Sequence, residues 1–309
     1  NTLHPPSIDN LSSVFTEANI SNGSMEKKEQ KADRYLGTMN SYAGFANFNY
    51  GIEKWNLNLG LRYQFDELIV DYNVGNIPGR IGQSEISYNN FYPALNVRYA
   101  LNDQHNLRLS GSRTISLPEF KEIAPFEYVS QTGQVTRGNP DLEASTNYNL
   151  DVKWEFFPTS EQLISLTGFY KKIEDPINKV QDRGSAGVYS FFNSGEEANI
   201  YGIEAETRLD LMPSDDAAYD LALNLNATRM WHKQDLKEVM NSENVFLRTF
   251  RYKGLTKTGL QGASDWIFNG SLNFETKSEN PFMASVAASY ASDKIYALGA
   301  PNSQAESLT

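Results

Sequence analysis

The sequence contains no cysteine and only three histidines among 309 residues. Without cysteine, a disulfide scaffold and a thiolate metal site are both excluded. No run of about 18 apolar residues occurs, so no helix of this chain is expected to span a membrane. Basic residues are outnumbered, with 27 Lys and Arg against 38 Asp and Glu and a formal net charge of -11. This acidic balance disfavours a general nucleic-acid-binding protein, which would carry a basic footprint.

The sequence also lacks the motifs of common catalytic and nucleotide-binding sites. It has no Gly-x-Ser-x-Gly, Gly-x-Gly-x-x-Gly or Gly-x-x-x-x-Gly-Lys segment. His4, His105 and His232 are far apart, and none has a second histidine at the spacing of metal ligands. We therefore expect no enzymatic activity, no cofactor and no metal site.

Aromatic residues are abundant, and apolar residues alternate with polar ones over long stretches. Aromatics make up 12% of the chain, with 17 Tyr and 17 Phe. From Trp55 to Asp66 every odd residue is apolar and every even residue is polar or glycine. Since successive side chains of a β-strand point to opposite faces, such a stretch predicts a strand with one apolar and one polar face. The same pattern recurs, more or less strongly, at 42–52, 91–100, 106–115, 146–156, 163–172, 200–211, 219–227, 266–276 and 282–291.

The predicted strands are long, and the segments between them alternate between short and long. A strand of about 12 residues tilted by about 45° rises roughly 28 Å, which approaches the thickness of a bilayer core. The short connections are Glu53-Lys54, Leu101 to His105, Pro158 to Gln162, Met212 to Ala217 and Lys277 to Pro281. The long connections are 67–90, 116–143, 173–199 and 232–264. This asymmetry is typical of outer-membrane barrels, which have short periplasmic turns and long extracellular loops.

Aromatic residues cluster near both ends of the predicted strands, as expected at the two interfaces of a membrane. Those near the short turns are Trp55, Tyr99, Phe156, Tyr219, Phe274 and Phe282. Those near the long connections are Tyr63, Phe91, Tyr148, Tyr170, Trp231, Trp266 and Tyr290. A soluble antiparallel sheet with one buried face would explain the alternation equally well. It would not explain the strand lengths, the loop asymmetry and the aromatic bands together.

Five segments follow one another along the chain: Phe91–Tyr99 with Asn106–Thr114 and Pro118–Phe120; Arg137–Glu143; Gly168–Lys172; Ile200–Glu204; and Leu260–Gly262. In this order they resemble the barrel of TonB-dependent receptors, in a style closest to those of the Bacteroidota. Each segment alone is ordinary, since Gly-Asn-Pro-Asp is common turn chemistry and Tyr-Gly-Ile-Glu is an alternating strand. Their order and spacing carry the resemblance, which covers the chain from about residue 40.

The resemblance implies an all-β fold, a transmembrane antiparallel β-barrel of about 22 strands plugged by an N-terminal domain. We expect this chain to supply about ten of those strands. Residues 1–40 are then an extracellular loop segment and residues 41–309 a partial outer-membrane barrel that lacks the plug and the terminal strands. The implied partners are outer-membrane lipid and lipopolysaccharide, TonB through an N-terminal region, and a small solute. No nucleic acid is expected.

Two functions remain open at this stage. The first is a receptor in the bacterial outer membrane that binds and imports a scarce solute. For the resembling family this solute is a siderophore, haem, cobalamin, a glycan or a peptide. The second is a non-transporting surface protein, either an adhesin or a carbohydrate-binding sheet.

One stretch has an unusual charge for such an acidic chain and is the candidate ligand-binding segment. Between Phe246 and Lys257 there are four cations and no acidic residue, with aromatic residues interleaved. The arginine fork suits carboxylate or phosphate groups, so this segment could capture an anionic solute. The alternative is a basic rim that contacts lipopolysaccharide phosphates. The candidate residues are Arg248, Phe250, Arg251, Tyr252, Lys253 and Lys257, with Trp231 and His232 at the neighbouring strand end.

Overall fold

The fold is seen in a computed structural model, which describes residues 34–73, 81–124, 127–131, 133–181, 188–212, 217–237, 239–240, 249–250, 256–299 and 306–308. The elements in chain order are β1 (Arg34–Ile52), β2 (Trp55–Asn73), β3 (Ile81–Ala100), β4 (His105–Ser116), α1 (Phe120–Ile123), β5 (Glu127–Val129), β6 (Val135–Arg137), β7 (Ser145–Phe156), β8 (Leu163–Glu174), β9 (Ile177–Gln181), β10 (Val188–Asn193), β11 (Glu197–Asp210), β12 (Tyr219–Asp235), β13 (Val239–Met240), β14 (Thr249–Phe250), β15 (Lys257–Thr258), β16 (Trp266–Thr276), β17 (Met283–Ala291), β18 (Lys294–Ala297) and β19 (Glu306–Leu308).

The fold is dominated by one antiparallel sheet of eleven strands. Ten of them run in the order β1-β2-β3-β4-β7-β8-β11-β12-β16-β17, and β15 pairs with β12 beside this path. These ten correspond in order to the ten predicted strands, so the predicted all-β fold class is confirmed. Four strands are clearly longer than predicted: β1 begins at Arg34, inside the segment 1–40 assigned above to a loop, β2 continues to Asn73, β3 begins at Ile81, and β12 continues to Asp235.

The chain divides into two compact units. The smaller unit consists of Asn1–Leu36 and Asp71–Gln83. Within it the Gln83 side-chain amide donates a hydrogen bond to Asp71 Oδ1 over 2.9 Å. The larger unit consists of Gly37–Val70 and Ser84–Thr309 and carries the features discussed below.

In its middle strands the main sheet exposes apolar side chains and covers polar ones. In β7, Leu150 and Val152 are 48% and 52% exposed, whereas Asn147 and Glu155 are each 6% exposed. The same holds in β8, where Leu166 is exposed and its neighbour Ser165 is buried. This is the reverse of a soluble sheet, in which the apolar face packs on the core. We call the two sides the apolar face and the polar face.

Four of the five predicted short connections lie within the described residues and are short turns between paired strands; most of the fifth, Met212 to Ala217, lies outside the described residues. Glu53, in the two-residue turn between β1 and β2, has a φ of 48°. In the turn between β3 and β4, Asn102 Oδ1 accepts hydrogen bonds from the backbone N–H groups of Gln104 and His105, both over 2.9 Å. This is the local turn chemistry expected of an Asn side chain. Because consecutive strands are antiparallel, the short turns all lie at one end of the sheet.

The described parts of three long connections, 116–143, 173–199 and 232–264, contain short elements of their own at the opposite end, whereas those of 67–90 continue β2 and β3. A four-stranded sheet has the order β5-β6-β10-β9, with β10 parallel to β6 and antiparallel to β9. Val180, Phe192 and Leu298 form a buried cluster there, against which Leu236 and Ile295 pack. The core of the protein, as far as the structure describes it, therefore lies largely in these connections rather than on the apolar face of the main sheet.

A single turn of helix, α1, precedes this small sheet. The Glu119 backbone N–H donates to Glu122 Oε2 over 2.8 Å, which satisfies a donor that the helix itself leaves free. Burial raises the pKa of the Glu122 carboxyl above its ordinary value. No helix among the described residues is long and apolar enough to cross a membrane.

Candidate functional site

The polar face of the main sheet is a continuous network of paired charges and amides. Arg108 Nε lies 2.7 Å from the buried carboxylate of Glu155. Glu206 accepts hydrogen bonds from Lys153 over 3.3 Å and from Ser165 over 3.4 Å. The carboxylates in this part of the face therefore hold cross-strand partners, as buried charges require. The arrangement is that of a structured polar wall.

Asparagines extend this wall across neighbouring strands. The Asn58 amide donates to Asn47 Oδ1 over 2.6 Å and to Asn49 Oδ1 over 2.5 Å, and it accepts from Asn96 over 3.3 Å. A side-chain amide both donates and accepts, so one row of asparagines can join several strands. Asn58 occupies an even position of β2, on the polar face, where it joins β1 to β3.

The Gly-Asn-Pro-Asp segment joins α1 to the small sheet. The Asn139 backbone N–H donates to the Glu122 carbonyl over 2.5 Å, and the Asn139 side chain donates to the Phe191 carbonyl over 3.0 Å. A Cβ added to Gly138 would lie 2.0 Å from the Ala124 carbonyl oxygen. The segment is therefore a site of close backbone contact between connections, in addition to being a turn.

Two of the other resembling segments contact each other across the main sheet. Phe169 of β8 and Gly202 of β11 are paired in register. A Cβ on Gly202 would lie 2.4 Å from the Phe169 ring and 2.6 Å from the Arg229 carbonyl oxygen. Gly202 thus leaves room for the ring, which covers the backbone of the neighbouring strand.

The Leu-Gln-Gly segment holds β9 and β18 together. Gln261 Oε1 accepts a hydrogen bond from the Lys179 backbone N–H over 2.7 Å, and its amide donates to the Tyr296 carbonyl. The Lys179 ammonium lies 4.6 Å from the Tyr189 ring centroid and 4.1 Å from that of Tyr296. It also donates to Gln134 Oε1 over 2.7 Å. Aromatic rings and an amide therefore hold this cation, and no carboxylate among the described residues pairs with it.

A buried amide pair ties the small sheet to the main sheet. Asn178 and Gln234 are each 1% exposed. Asn178 Nδ2 donates to Gln234 Oε1 over 3.1 Å, and Gln234 Nε2 donates to Asn178 Oδ1 over 3.2 Å. Since buried amides are costly without partners, this reciprocal pair specifies how β9 lies against β12. The connections thus form an ordered surface at the long-loop end of the sheet, which a ligand could bind.

The candidate ligand-binding segment is only partly described. Arg248, Arg251, Tyr252 and Lys253 lie outside the described residues, and of Phe250 only its backbone position in β14 is described. Lys257 lies in β15, where its Nζ is 3.1 Å from Asp235 Oδ1.

The structure separates the two flanking candidates, Trp231 and His232. As consecutive residues of β12 they point to opposite faces, and Trp231 is exposed on the apolar face. His232 is held at Nδ1 by the Leu260 backbone N–H over 2.9 Å, and its Nε2 lies 3.2 Å from Asp265 Oδ1. Only His232 therefore faces the side of the paired polar groups.

Aromatic contacts mark both ends of the apolar face. At the short-turn end the ring centroids of Trp55 and Tyr99 are 4.4 Å apart, and those of Tyr219 and Phe274 are 5.2 Å apart. At the long-loop end, Tyr63 and Phe91 are 4.9 Å apart. Further contacts at this end join Trp266 to Phe268 over 5.5 Å and Phe268 to Tyr290 over 6.1 Å. Between these clusters the apolar side chains of the sheet are exposed.

Comparison with protein families gives one match that covers most of the chain. The family model described as TonB dependent receptor-like, beta-barrel matches residues 9–306. No curated protein sequence matches the chain.

Solved structures share the fold at low sequence identity. The ferric yersiniabactin uptake receptor FyuA from Yersinia pestis gives a TM-score of 0.57 at 14% identity, covering 85% of this chain and 36% of that chain. The siderophore receptor PiuA from Acinetobacter baumannii gives 0.55 at 13% identity, covering 84% and 34%. The FrpB iron transporter from Neisseria meningitidis (F3-3 variant) gives 0.51 at 14% identity, covering 93% and 38%. The chain therefore spans little more than a third of the length of these structures.

Proposed function

Because this chain belongs to the TonB dependent receptor-like, beta-barrel family, we propose that it forms part of the barrel of a receptor that imports a scarce solute. The family's members are transporters rather than enzymes, and they lie in the outer membrane. In this proposal the long connections face the outside of the cell and the short turns face the periplasm. Lipid surrounds the apolar face, and TonB acts through a region N-terminal to the barrel.

The observation that supports this proposal most strongly is the pattern of exposure in the main sheet. Side chains such as Leu150 and Leu225 are 48% and 45% exposed, while the polar side chains beside them are hydrogen-bonded. A soluble protein rarely exposes such a continuous apolar surface. A membrane barrel requires it, because lipid contacts the outside and water fills a polar interior.

A ferric siderophore is the solute class we propose. The similar structures named above include a ferric yersiniabactin uptake receptor and a siderophore receptor. The basic and aromatic segment 246–257 supports an anionic solute, since guanidinium groups form paired hydrogen bonds with carboxylates and phosphates. Haem, cobalamin, glycans and peptides are the other solutes of such receptors. The style of the resembling segments favours a receptor of the Bacteroidota type.

The proposal predicts energy-dependent uptake. In a strain that carries the full-length protein, radioactive iron supplied as ferric siderophores should enter cells under iron limitation for at least one siderophore of a panel. Deleting either the receptor or TonB should reduce this uptake to background, while deleting TonB should leave surface binding intact. Surface binding with no TonB-dependent entry for any solute class would instead favour the non-transporting alternative.

The basic segment gives a second prediction. Replacing Arg248 and Arg251 with Gln should weaken cell-surface binding of an anionic solute by about tenfold or more, because each fork loses its charge-assisted hydrogen bonds. This loss of binding should be smaller at high salt concentration. A matched control replaces Lys171 and Arg208, which lie in β8 and β11, with Gln. Unchanged binding with normal surface expression would instead favour the alternative, in which this segment is a basic rim that contacts lipopolysaccharide phosphates.

A further inference from the structure

A cavity of about 360 Å³ lies on the polar face of the main sheet, close to the short turns, and we call it the wall cavity. Strands β1, β2, β3 and β4 supply its lining, which includes Asn49, Asn56, Asn58, Asn96, Arg98 and Arg108. Its volume is sufficient for a small solute. Among the described residues no carboxylate lines it, although the whole chain has a net charge of -11. The cavity is therefore a positively charged recess in an acidic protein.

The two arginines of the wall cavity occupy directly opposite positions on neighbouring strands. Arg98 of β3 pairs in register with Arg108 of β4, and Lys153 of β7 is the next residue of the same row. Like charges at directly opposite positions destabilise a sheet. Three adjacent cations therefore require anions nearby to offset their repulsion.

Carboxylates from the neighbouring row compensate two of these three cations. Glu155 lies 2.7 Å from Arg108, and Glu206 lies 3.3 Å from Lys153. Arg98 is exposed and forms no ion pair or side-chain hydrogen bond within the described part of the chain. The uncompensated positive charge of the row therefore resides at Arg98, beside the cavity.

The register of the sheet also keeps carboxylates away from Arg98. On β4, the polar-face residues that flank its partner are Asn106 and Ser110, which are neutral. The next carboxylates in this direction, Asp151 and Glu155, belong to β7. They are two strands from Arg98, which corresponds to about 10 Å. An anion that binds Arg98 therefore does not have to displace an acid of these strands.

Asparagine amides provide further hydrogen-bond donors around the wall cavity. Asn58 uses its amide N–H groups on Asn47 and Asn49 of β1. Asn96 donates one of its two N–H groups to Asn58 Oδ1 over 3.3 Å, which leaves the other. Asn56 makes no side-chain hydrogen bond within the described residues. The cavity wall therefore offers amide N–H groups to an acceptor, in addition to its unpaired guanidinium.

We infer that the wall cavity binds an oxyanion, the carboxylate or phosphate group of a small solute, with Arg98 as its main partner. The guanidinium presents forked N–H donors that match two oxygens of such a group, and the amides can donate to it as well. The bound anion would also offset the repulsion between Arg98 and Arg108.

This inference rests on the proposed function, because the polar face is the inner wall of a barrel only if lipid surrounds the apolar face. It adds a second anion site to that function. The wall cavity lies near the short turns, whereas the basic segment 246–257 belongs to a long connection at the other end of the sheet. An anionic solute would therefore meet the wall cavity only after it has left the outer mouth.

Isothermal titration calorimetry of the purified full-length protein tests the site, with succinate and inorganic phosphate as anionic probes and dimethyl succinate as an uncharged one. All proteins carry Arg248→Gln and Arg251→Gln, so that the basic segment does not contribute. This parent protein should bind at least one of the two anions and show no binding of dimethyl succinate. Adding Arg98→Gln should weaken the affinity for that anion by about tenfold or more, because charge-assisted hydrogen bonds are lost.

Arg98 is the residue to replace, because removal of Arg108 would leave the buried carboxylate of Glu155 without its cation. Arg208→Gln is the matched control. Arg208 is also exposed on the polar face near the short turns, but the cavity that it lines contains the carboxylate of Glu206. This control should bind the anion like the parent protein, and Arg98→Lys, which keeps the charge without the fork, should give an intermediate affinity.

Three results would overturn the inference: no anion binding by the parent protein, equal binding by the parent and Arg98→Gln, or equal losses in Arg98→Gln and Arg208→Gln. Failure of the proposed function is a separate observation. In that case cells carrying the wild-type protein would show no TonB-dependent uptake of any solute, whatever the calorimetry of the purified protein gives.

Discussion

Replacing Leu225 with Arg in the full-length protein is expected to lower the yield of folded barrel steeply, whereas Asn224→Arg should leave it near the wild-type level. Leu225 is 45% exposed on the apolar face, on the short-turn side of Trp231 in the same strand. At the middle of a bilayer an arginine on the lipid face of a barrel costs about 2–4 kcal/mol. Asn224 lies one residue away on the polar face, where its amide donates to Ser271 Oγ over 3.2 Å.

Urea titration of the protein refolded into lipid vesicles provides the measurement, with heat-dependent gel mobility as the probe of folding. The two variants have the same added charge and adjacent positions, so a difference between them reports the face alone. A soluble sheet with a buried apolar side would be destabilised by Leu225→Arg without any need for vesicles. Equal effects of the two substitutions in vesicles would contradict the assignment of the faces.

The second large effect is expected from Gly138→Ala, which should lower the stability of the connection between α1 and β7. A Cβ at this position would lie 2.0 Å from the Ala124 carbonyl oxygen and 2.8 Å from the Ala124 carbonyl carbon. Backbone atoms cannot move aside as the end of a flexible side chain can, so Gly138→Ala must separate α1 from the strand β6. The expected cost to this connection is about 3 kcal/mol or more. Limited proteolysis on intact cells should then cleave the segment between α1 and β7, while the barrel keeps its heat-dependent mobility.

Gly168→Ala is the matched control, because a Cβ there meets nothing within 4 Å. Both glycines belong to segments that resemble the family, so the comparison separates tight packing from mere membership in a motif. Protease resistance equal to that of the wild type in Gly138→Ala would show that the connection tolerates the displacement. The contact with Ala124 would then not organise this end of the sheet.

The strands of the main sheet could be predicted because their signal is local. In the stretch from Trp55 to Asp66, each residue's face follows from its parity alone, and the observed β2 keeps that parity. Turn positions such as Asn102 could be predicted equally well, since the Asn102 side chain accepts hydrogen bonds from backbone N–H groups within three residues. The ends of β1, β2, β3 and β12 were missed because their alternation weakens where the strands continue beyond the regular pattern.

The structure of the connections could not be predicted in the same way. The pair of Asn178 and Gln234 joins residues 56 positions apart, and Lys179 meets Tyr296 across 117 positions. In both pairs, the sequence around one residue does not indicate which distant residue it contacts. Trp231 and His232 had been grouped as candidates for one ligand site, although they lie on opposite faces of β12. They lie beyond the predicted strand 219–227, so the two-residue period was not applied to them.

The sequence by itself determined which residues share a face, the order of the ten strands and the ends at which short and long connections lie. Those properties depend on the two-residue period of a strand and on turn chemistry, which act over a few bonds. Only the tertiary structure decided that the apolar face is the exposed one, because alternation is the same whether that face meets a core or a lipid. It also decided which side chains lie beside each other on neighbouring strands, since register between strands depends on pairing across the whole sheet.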